Sequence, residues 1–187
     1  MPALPDIPVL DTPRLTLRGW RREDHAPYAA MLADAETARF ITRSGRPLSA
    51  PQAWAEIAFF IGHWQLLGYG MFVVEERGTG AFLGRVGPLQ PPGWPGFEIG
   101  WALAPAARGN GHAFEAARAA MDWSFRHAGP DRIISIIDPR NAASRRVAER
   151  LGERRTDETF APFGDPCDVW AISREEWRRA RGSLAGR

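Results

Sequence analysis

The 187-residue chain contains no lysine: all 24 of its Lys/Arg positions are arginine. That excludes a phosphate loop of the G-x-x-x-x-G-K-[ST] kind and any Schiff-base chemistry built on a lysine amine. Cysteine is nearly absent, with Cys167 alone, which excludes a disulfide framework and a Cys-built zinc site and makes a reducing compartment the simplest expectation. The four histidines, His25, His63, His112 and His127, fall at no metal-ligand spacing, and no metal is expected. No run of 18 apolar residues occurs, so no membrane span is expected. The opening M-P-A-L-P-D-I-P lacks the basic-then-apolar order of a signal peptide. Excess charge is missing as well: 24 basic against 22 acidic residues leave +2. The isoelectric point near 9.3 therefore reflects arginine's high pKa, and no nucleic-acid partner is expected. A cytoplasmic protein without a membrane partner is the expectation.

What remains is ordinary globular material, 44% hydrophobic and 25% charged, long enough for one domain over 1–187. The Pro-rich residues 1–12 read as an extended segment. Alternation predicts a strand over 14–18, and a helix follows from Arg22 to Asp34 with Tyr28, Met31 and Leu32 as its apolar stripe. Residues 36–48 read as a loop. Trp54, Ile57, Ala58, Ile61 and Trp64 recur at helical spacing and predict a helix from Ser49 to Leu67 with that face inward. A meander follows, with strands over 69–75, 81–89 and 97–104. A long helix from Gly109 to Ala128 carries a polar stripe, Glu115, Arg118, Asp122 and Arg126, read as a solvated face laced with ion pairs. Ile133 to Ile137 is a β-branched run expected of a doubly buried strand. A helix from Ala142 to Leu151 should bury Ala143, Val147 and Leu151 and end at Gly152. Two further strands, 154–160 and 168–172, and a helix from Arg174 close the chain. The class is α+β, with one βαβ unit whose strands should run parallel.

The most informative stretch joins strand 97–104 to the long helix: Pro105-Ala-Ala-Arg108-Gly109-Asn110-Gly111-His112-Ala113. Two residues without Cβ let backbone N–H groups approach a ligand, while a helix N-terminus and Arg108 add positive charge. Three readings fit: a plain glycine turn opening a helix, a dinucleotide loop, or a loop for the pyrophosphate of acetyl-CoA. The dinucleotide reading suffers because Phe114 stands where a third glycine belongs.

Arg108-x-x-Gly111-x-Ala113 resembles the [QR]-x-x-G-x-[GA] loop of the GNAT acetyltransferases, with Leu103-Ala-Pro105 upstream in the same frame. The resemblance is closest to the branch typified by ribosomal-protein N-terminal acetyltransferases. Glu98-Ile-Gly-Trp101 precedes the loop, Glu115-Ala116 follows it, and Asn141-Ala-Ala-Ser144 opens the next helix. Thr12 to Arg18 and Ser173 to Trp177 are similar to that branch too. The resemblance implies a mixed twisted sheet of six to seven strands flanked by helices, with a central βαβ unit splayed into a cleft. It implies acetyl-CoA as donor and a primary amine as acceptor.

The resemblance also assigns roles. Glu98 is the base that takes the amine's proton, the other reading of its alternation with Ile99 being a solvent-facing strand glutamate. Backbone N–H groups at Trp101 to Leu103, on a bulged strand in the family, would polarise the acetyl carbonyl. Arg108, Gly109, Asn110, Gly111, His112 and Ala113 would hold the pyrophosphate. Asn141 is a natural helix N-cap and in the family also a cofactor contact. Ser144 is placed beside the CoA sulfur. Many members carry a tyrosine acid one turn further on, where this chain has Ala148. From loop position rather than from the resemblance, Trp94, in a Pro/Gly loop, together with Phe40 and the Arg43/Arg46 segment, reads as part of the acceptor site; most of the remaining tryptophans, Trp54 and Trp64 among them, read as core. A non-catalytic CoA-sensing domain and a nicotinamide oxidoreductase stay as alternatives, and the sequence leaves the acceptor and any homodimer open.

Overall fold

The computed structural model describes residues 6–162 and 164–184; residues 1–5 of the segment read as extended lie outside them. Its strands are β1 (Leu10–Asp11), β2 (Leu15–Arg18), β3 (Phe72–Glu76), β4 (Phe82–Leu89), β5 (Glu98–Leu103), β6 (Arg132–Ile137), β7 (Arg154–Phe160) and β8 (Cys167–Ser173). Its helices are α1 (His25–Ala33), α2 (Ala35–Ile41), α3 (Ala50–Leu67), α4 (His112–His127), α5 (Ala142–Leu151) and α6 (Arg174–Leu184). The strands form one sheet in the order β1-β2-β3-β4-β5-β6-β8-β7. Every neighbouring pair is antiparallel except β5 and β6, joined through α4. The sheet is α+β and mixed as expected, with eight strands. The extra one is the two-residue β1, drawn from the segment read as extended. Among the described residues no helix is long and apolar enough to cross a membrane.

One face of the sheet packs α4. Ala116, Ala117 and Ala120 are fully buried, and their small side chains bring the helix axis close to the strands. Met121 and Trp123 then fill the space against Phe72 and Trp64. The polar stripe of α4 pairs with other elements: Glu115 takes hydrogen bonds from Thr12 and Arg14, and Asp122 from Trp177 and Arg181. The opposite face of the sheet packs α1 and α3, with Trp20, Tyr28, Ile57 and Phe60 over Met71 and Val73.

Three readings are corrected. Residues 36–41 are helical: extended backbone at Asp34 ends α1, and the Asp34 carboxylate caps α2 by accepting from Thr37 N–H at 2.7 Å. So short a helix shows no readable period. In α3 the buried stripe is Ala53, Ile57, Phe60 and Trp64, while Trp54 is 52% exposed, and Ile61 and Ala58 are exposed too. The helix is apolar around most of its girth, so spacing could not choose the face. In α5, Ala148 and Leu151 are buried and Ala143 is exposed.

Candidate active site

The site begins with a fault in the sheet. β5 and β6 share one register pair, Glu98 with Ile134, held by Ile134 N–H donating to the Phe97 carbonyl at 2.9 Å. Beyond it the strands part. On its other side β5 pairs with β4 in unbroken register from Glu98 to Leu103, so the bulge expected there is absent. Pro88 stands opposite Ile99 and has no N–H to give. Antiparallel alternation therefore turns Glu98, Gly100 and Ala102 toward β4, and turns the N–H and C=O of Ile99, Trp101 and Leu103 toward the gap. Side chains fill two of these positions: the Ser135 hydroxyl lies 2.9 Å from the Ile99 carbonyl, and Arg108 Nε donates to the Leu103 carbonyl at 3.3 Å. The Trp101 N–H between them faces the opening.

Two cavities meet at the gap. A small one of about 160 Å³ is lined by Glu98, Arg85, Trp94, Gly100, Ser135 and Cys167 among others. A larger cleft of about 600 Å³ runs along Leu103, Arg108, Gly109, Gly111, His112 and Ala113 to Arg146 and Arg150. Phe40, Ile41, Trp101, Asn141 and Ser144 line both. The helix missed in sequence, α2, is what carries Phe40 there.

The larger cleft suits a pyrophosphate. Gly109 and Gly111 have φ of +79° and +77°, a left-handed conformation costly for any other residue. Gly111 is the N-cap of α4, so the first-turn N–H groups have no partner within the helix and favour an anion. Arg39, Arg108, Arg140, Arg146 and Arg150 line the cleft against one acid, Glu36. Arg108 itself is engaged by α2, bonded to Thr37 Oγ1 and paired with Glu36 at 3.2 Å and Asp34 at 3.5 Å. Asn110 does not line the cleft, and its carbonyl accepts from Arg14. His112 does line it, with Nδ1 buried and unbonded. Asn141 caps α5 by accepting from Ser144 N–H at 3.0 Å, which sets the Ser144 side chain where the cavities join.

Glu98 is 8% exposed. Burial pushes its carboxyl up to about 7, against the opposing pull of the Trp94 indole N–H, the Ile136 backbone N–H and the Arg85 charge. A carboxyl poised near neutrality is suited to accept a proton at physiological pH. The indole N–H donates at 2.6 Å and favours the charged form, so Trp94→Phe should move the acidic limb of the kcat/KM profile upward by about one pH unit. An unmoved limb would show that the indole does not bond the carboxylate in solution. Gly100 keeps the cavity floor open: a Cβ there would sit 2.9 Å from Met71 Cε.

Behind the strand, Glu153 is sealed in, its Oε2 without a partner. Its Oε1 lies 3.0 Å from the Ser135 hydroxyl. One hydroxyl hydrogen cannot serve both Ile99 and Glu153, so the chain of bonds closes only when Glu153 is protonated. Burial, and then the Glu98 charge, push that carboxyl up to about 8, against the Ser135 bond.

Of the residues singled out in sequence, Glu98, Trp94, Phe40, Trp101, Asn141 and Ser144 come together. Arg43 and Arg46 are exposed and line neither cavity. Tyr28 is fully buried and donates to Glu56. Arg85, Ser135 and Glu153 were missed. The one available signal was a lone arginine inside the apolar strand Phe82–Leu89.

A family model described as an acetyltransferase (GNAT) domain matches residues 14–154. The acetyltransferase of Agrobacterium tumefaciens strain C58 is 30% identical, with a TM-score of 0.80 over 90% of this chain and 95% of that one. The uncharacterized protein YkkB of Bacillus subtilis is 43% identical over 107 residues, 55% of this chain. The chain spans 62% of that curated relative's length. RimJ of Mycobacterium smegmatis, solved in complex with CoA-disulfide, shares the fold at 21% identity, with a TM-score of 0.74 over 98% of this chain and 96% of that one.

Proposed function

The chain belongs to the GNAT acetyltransferase family, and from that premise we propose that it transfers an acetyl group from acetyl-CoA to a primary amine by direct attack of the amine. The acceptor is a protein N-terminal α-amine or a small-molecule amine. The observation that carries the reading is Glu98: a buried carboxyl with its pKa near 7, in a small cavity that opens through a split sheet onto a cationic cleft.

Acetyl-CoA supplies the activated acetyl thioester when bound. The first-turn amides of α4, the unobstructed backbone at Gly109 and Gly111, and the cleft arginines are the groups that would hold its phosphates. Arg108 can join them by exchanging Asp34 and Glu36 for phosphate. At the gap the chain has three tasks. Glu98 removes a proton from the ammonium form of the acceptor, which is no nucleophile at neutral pH, its pKa being about 8 for an α-amine. The Trp101 N–H, turned to the gap by strand alternation, donates to the acetyl oxygen as negative charge gathers there. The Ser144 hydroxyl donates on the sulfur side, in the place where no tyrosine stands.

Release of free thiol from acetyl-CoA, followed over a panel of peptide N-termini, polyamines, amino acids and aminoglycosides, tests the reading. Amine-dependent release is expected. Tight CoA binding with no release for any amine would favour a sensing domain instead. Ser144→Ala should lower kcat by roughly tenfold to a hundredfold, the scale of losing one donor, with the Kd for acetyl-CoA hardly changed. Single-turnover kinetics beside CoA titration separates the two quantities. A large loss of affinity with intact chemistry would make Ser144 a contact to the CoA arm.

A further inference from the structure

Arg85 is a buried guanidinium without a counter-ion of its own among the described residues. It stands in the middle of β4 on the face shared with Glu98, 9% exposed, and it lines the small cavity. Its Nε donates to Tyr28 Oη at 3.1 Å and one Nη1 hydrogen reaches Met71 Sδ at 3.6 Å. None of the ion pairs among the described residues involves it. On that side its charge lies over the Phe60 ring, 5.0 Å from the centroid, and reaches an acid only indirectly, through Tyr28, whose hydroxyl donates to Glu56 at 2.6 Å. Of the five N–H donors of a guanidinium, those on Nη2 and one on Nη1 thus have no hydrogen-bond partner among the described residues. An arginine cannot shed its charge, and a buried charge is costly unless paired.

Glu98, the acid sharing the cavity, cannot serve as a permanent partner. When it takes up a proton it becomes neutral, and Arg85 then has no acid charge facing it within a cavity of about 160 Å³. That volume is well below the 300–1,000 Å³ of pockets for drug-sized ligands. Phe40, Trp94 and Cys167 wall it in.

We propose that Arg85 anchors an anion in the acceptor subsite, and that the acceptor is a small amine carrying a carboxylate, of the amino-acid type. The carboxylate accepts from the unused edge of the guanidinium fork, and the amine turns toward Glu98. The two charges of the acceptor thus meet the two charged groups of the cavity. This assignment rests on the amine-acceptor reading above, and deepens it by naming the chemical class.

The common L-amino acids, β-alanine and 4-aminobutyrate, each paired with its own carboxamide, are the probes. Calorimetric titration into the CoA-saturated protein should find at least one acid bound tenfold or more tightly than its amide. Arg85→Gln should reduce that preference to less than about twofold while leaving binding of the amide in place. Equal binding of acids and amides to the unaltered protein overturns the proposal even if the variant does not fold. So does an acid preference that survives in a folded Arg85→Gln protein. Peptides acetylated in preference to every free amino acid would overturn the small acceptor. Thiol release on the same probes separates the two readings. An Arg85-dependent acid preference without acetylation of any amine sinks the acyl-transfer reading alone, whereas acetylation indifferent to the carboxylate sinks the anchor alone.

Discussion

Glu98→Gln should lower kcat/KM by on the order of a hundredfold at pH 7, the scale of losing a positioned general base. Glutamine keeps the shape and can still accept from the Trp94 indole, so the loss isolates proton acceptance. In the unaltered protein the rate should fall as pH drops through about 7, because protonation of this raised carboxyl removes the base. In the variant that limb should vanish, and activity should climb with pH as solvent delivers more free amine. The rate must be measured with a competent acceptor across pH 6 to 9.5. An unchanged rate at pH 7 would reduce Glu98 to a buried structural acid.

Gly111→Val should weaken acetyl-CoA binding by about a hundredfold. The residue has φ +77° at the N-cap of α4, and a left-handed conformation costs a side chain about 1–3 kcal/mol, with β-branching at the unfavourable end. A Cβ at this position meets only Arg14 Nη2 at 3.6 Å. The strain is therefore relieved by turning the loop and its amides away from the cleft, and the fold survives. Calorimetry with acetyl-CoA on a protein of unaltered circular dichroism decides the matter. Undiminished affinity would place the pyrophosphate elsewhere, among Arg140, Arg146 and Arg150.

Which parts of this arrangement could be read in the sequence follows a physical division. Where local chemistry determines the outcome, the reading was right. Ala142 to Leu151 was bounded on both sides, because Asn141 is an N-cap and Gly152 a left-handed terminus. The glycine loop was legible because positive φ and a helix start are local facts. Where long-range packing determines the outcome, it was not. Trp54 sits on a helix apolar all round, and only α1 and the sheet choose which side is covered. The α2 turn depends on the Asp34 carboxylate capping seven residues that lack a period. Arg85, Ser135 and Glu153 lie 18 to 68 positions apart in sequence. Nothing local says that one shares a sheet face and a cavity with Glu98 while the other two are bonded behind the gap. Arg108 was read as a pyrophosphate contact, and its pairing with Asp34 and Glu36, the N-cap and first turn of α2, could not be read because that helix was hidden.

The single register pair between β5 and β6 also has a mechanical meaning. The sheet is two plates, β1 to β5 and β6 to β8, meeting along the strand direction at one joint, with α4 as the strap between them. Ordinary neighbouring strands share a ladder and deform together, whereas these two plates can flex about the joint without breaking further backbone bonds. A molecule wedged into the gap touches both plates and acts as a clamp. Its binding energy then appears as stiffness between the halves and as added resistance to unfolding, growing with RT ln(1 + [L]/Kd). Loading the cleft and tightening the molecule would then be one event, and any ligand held this way could leave only as that stiffness is given up.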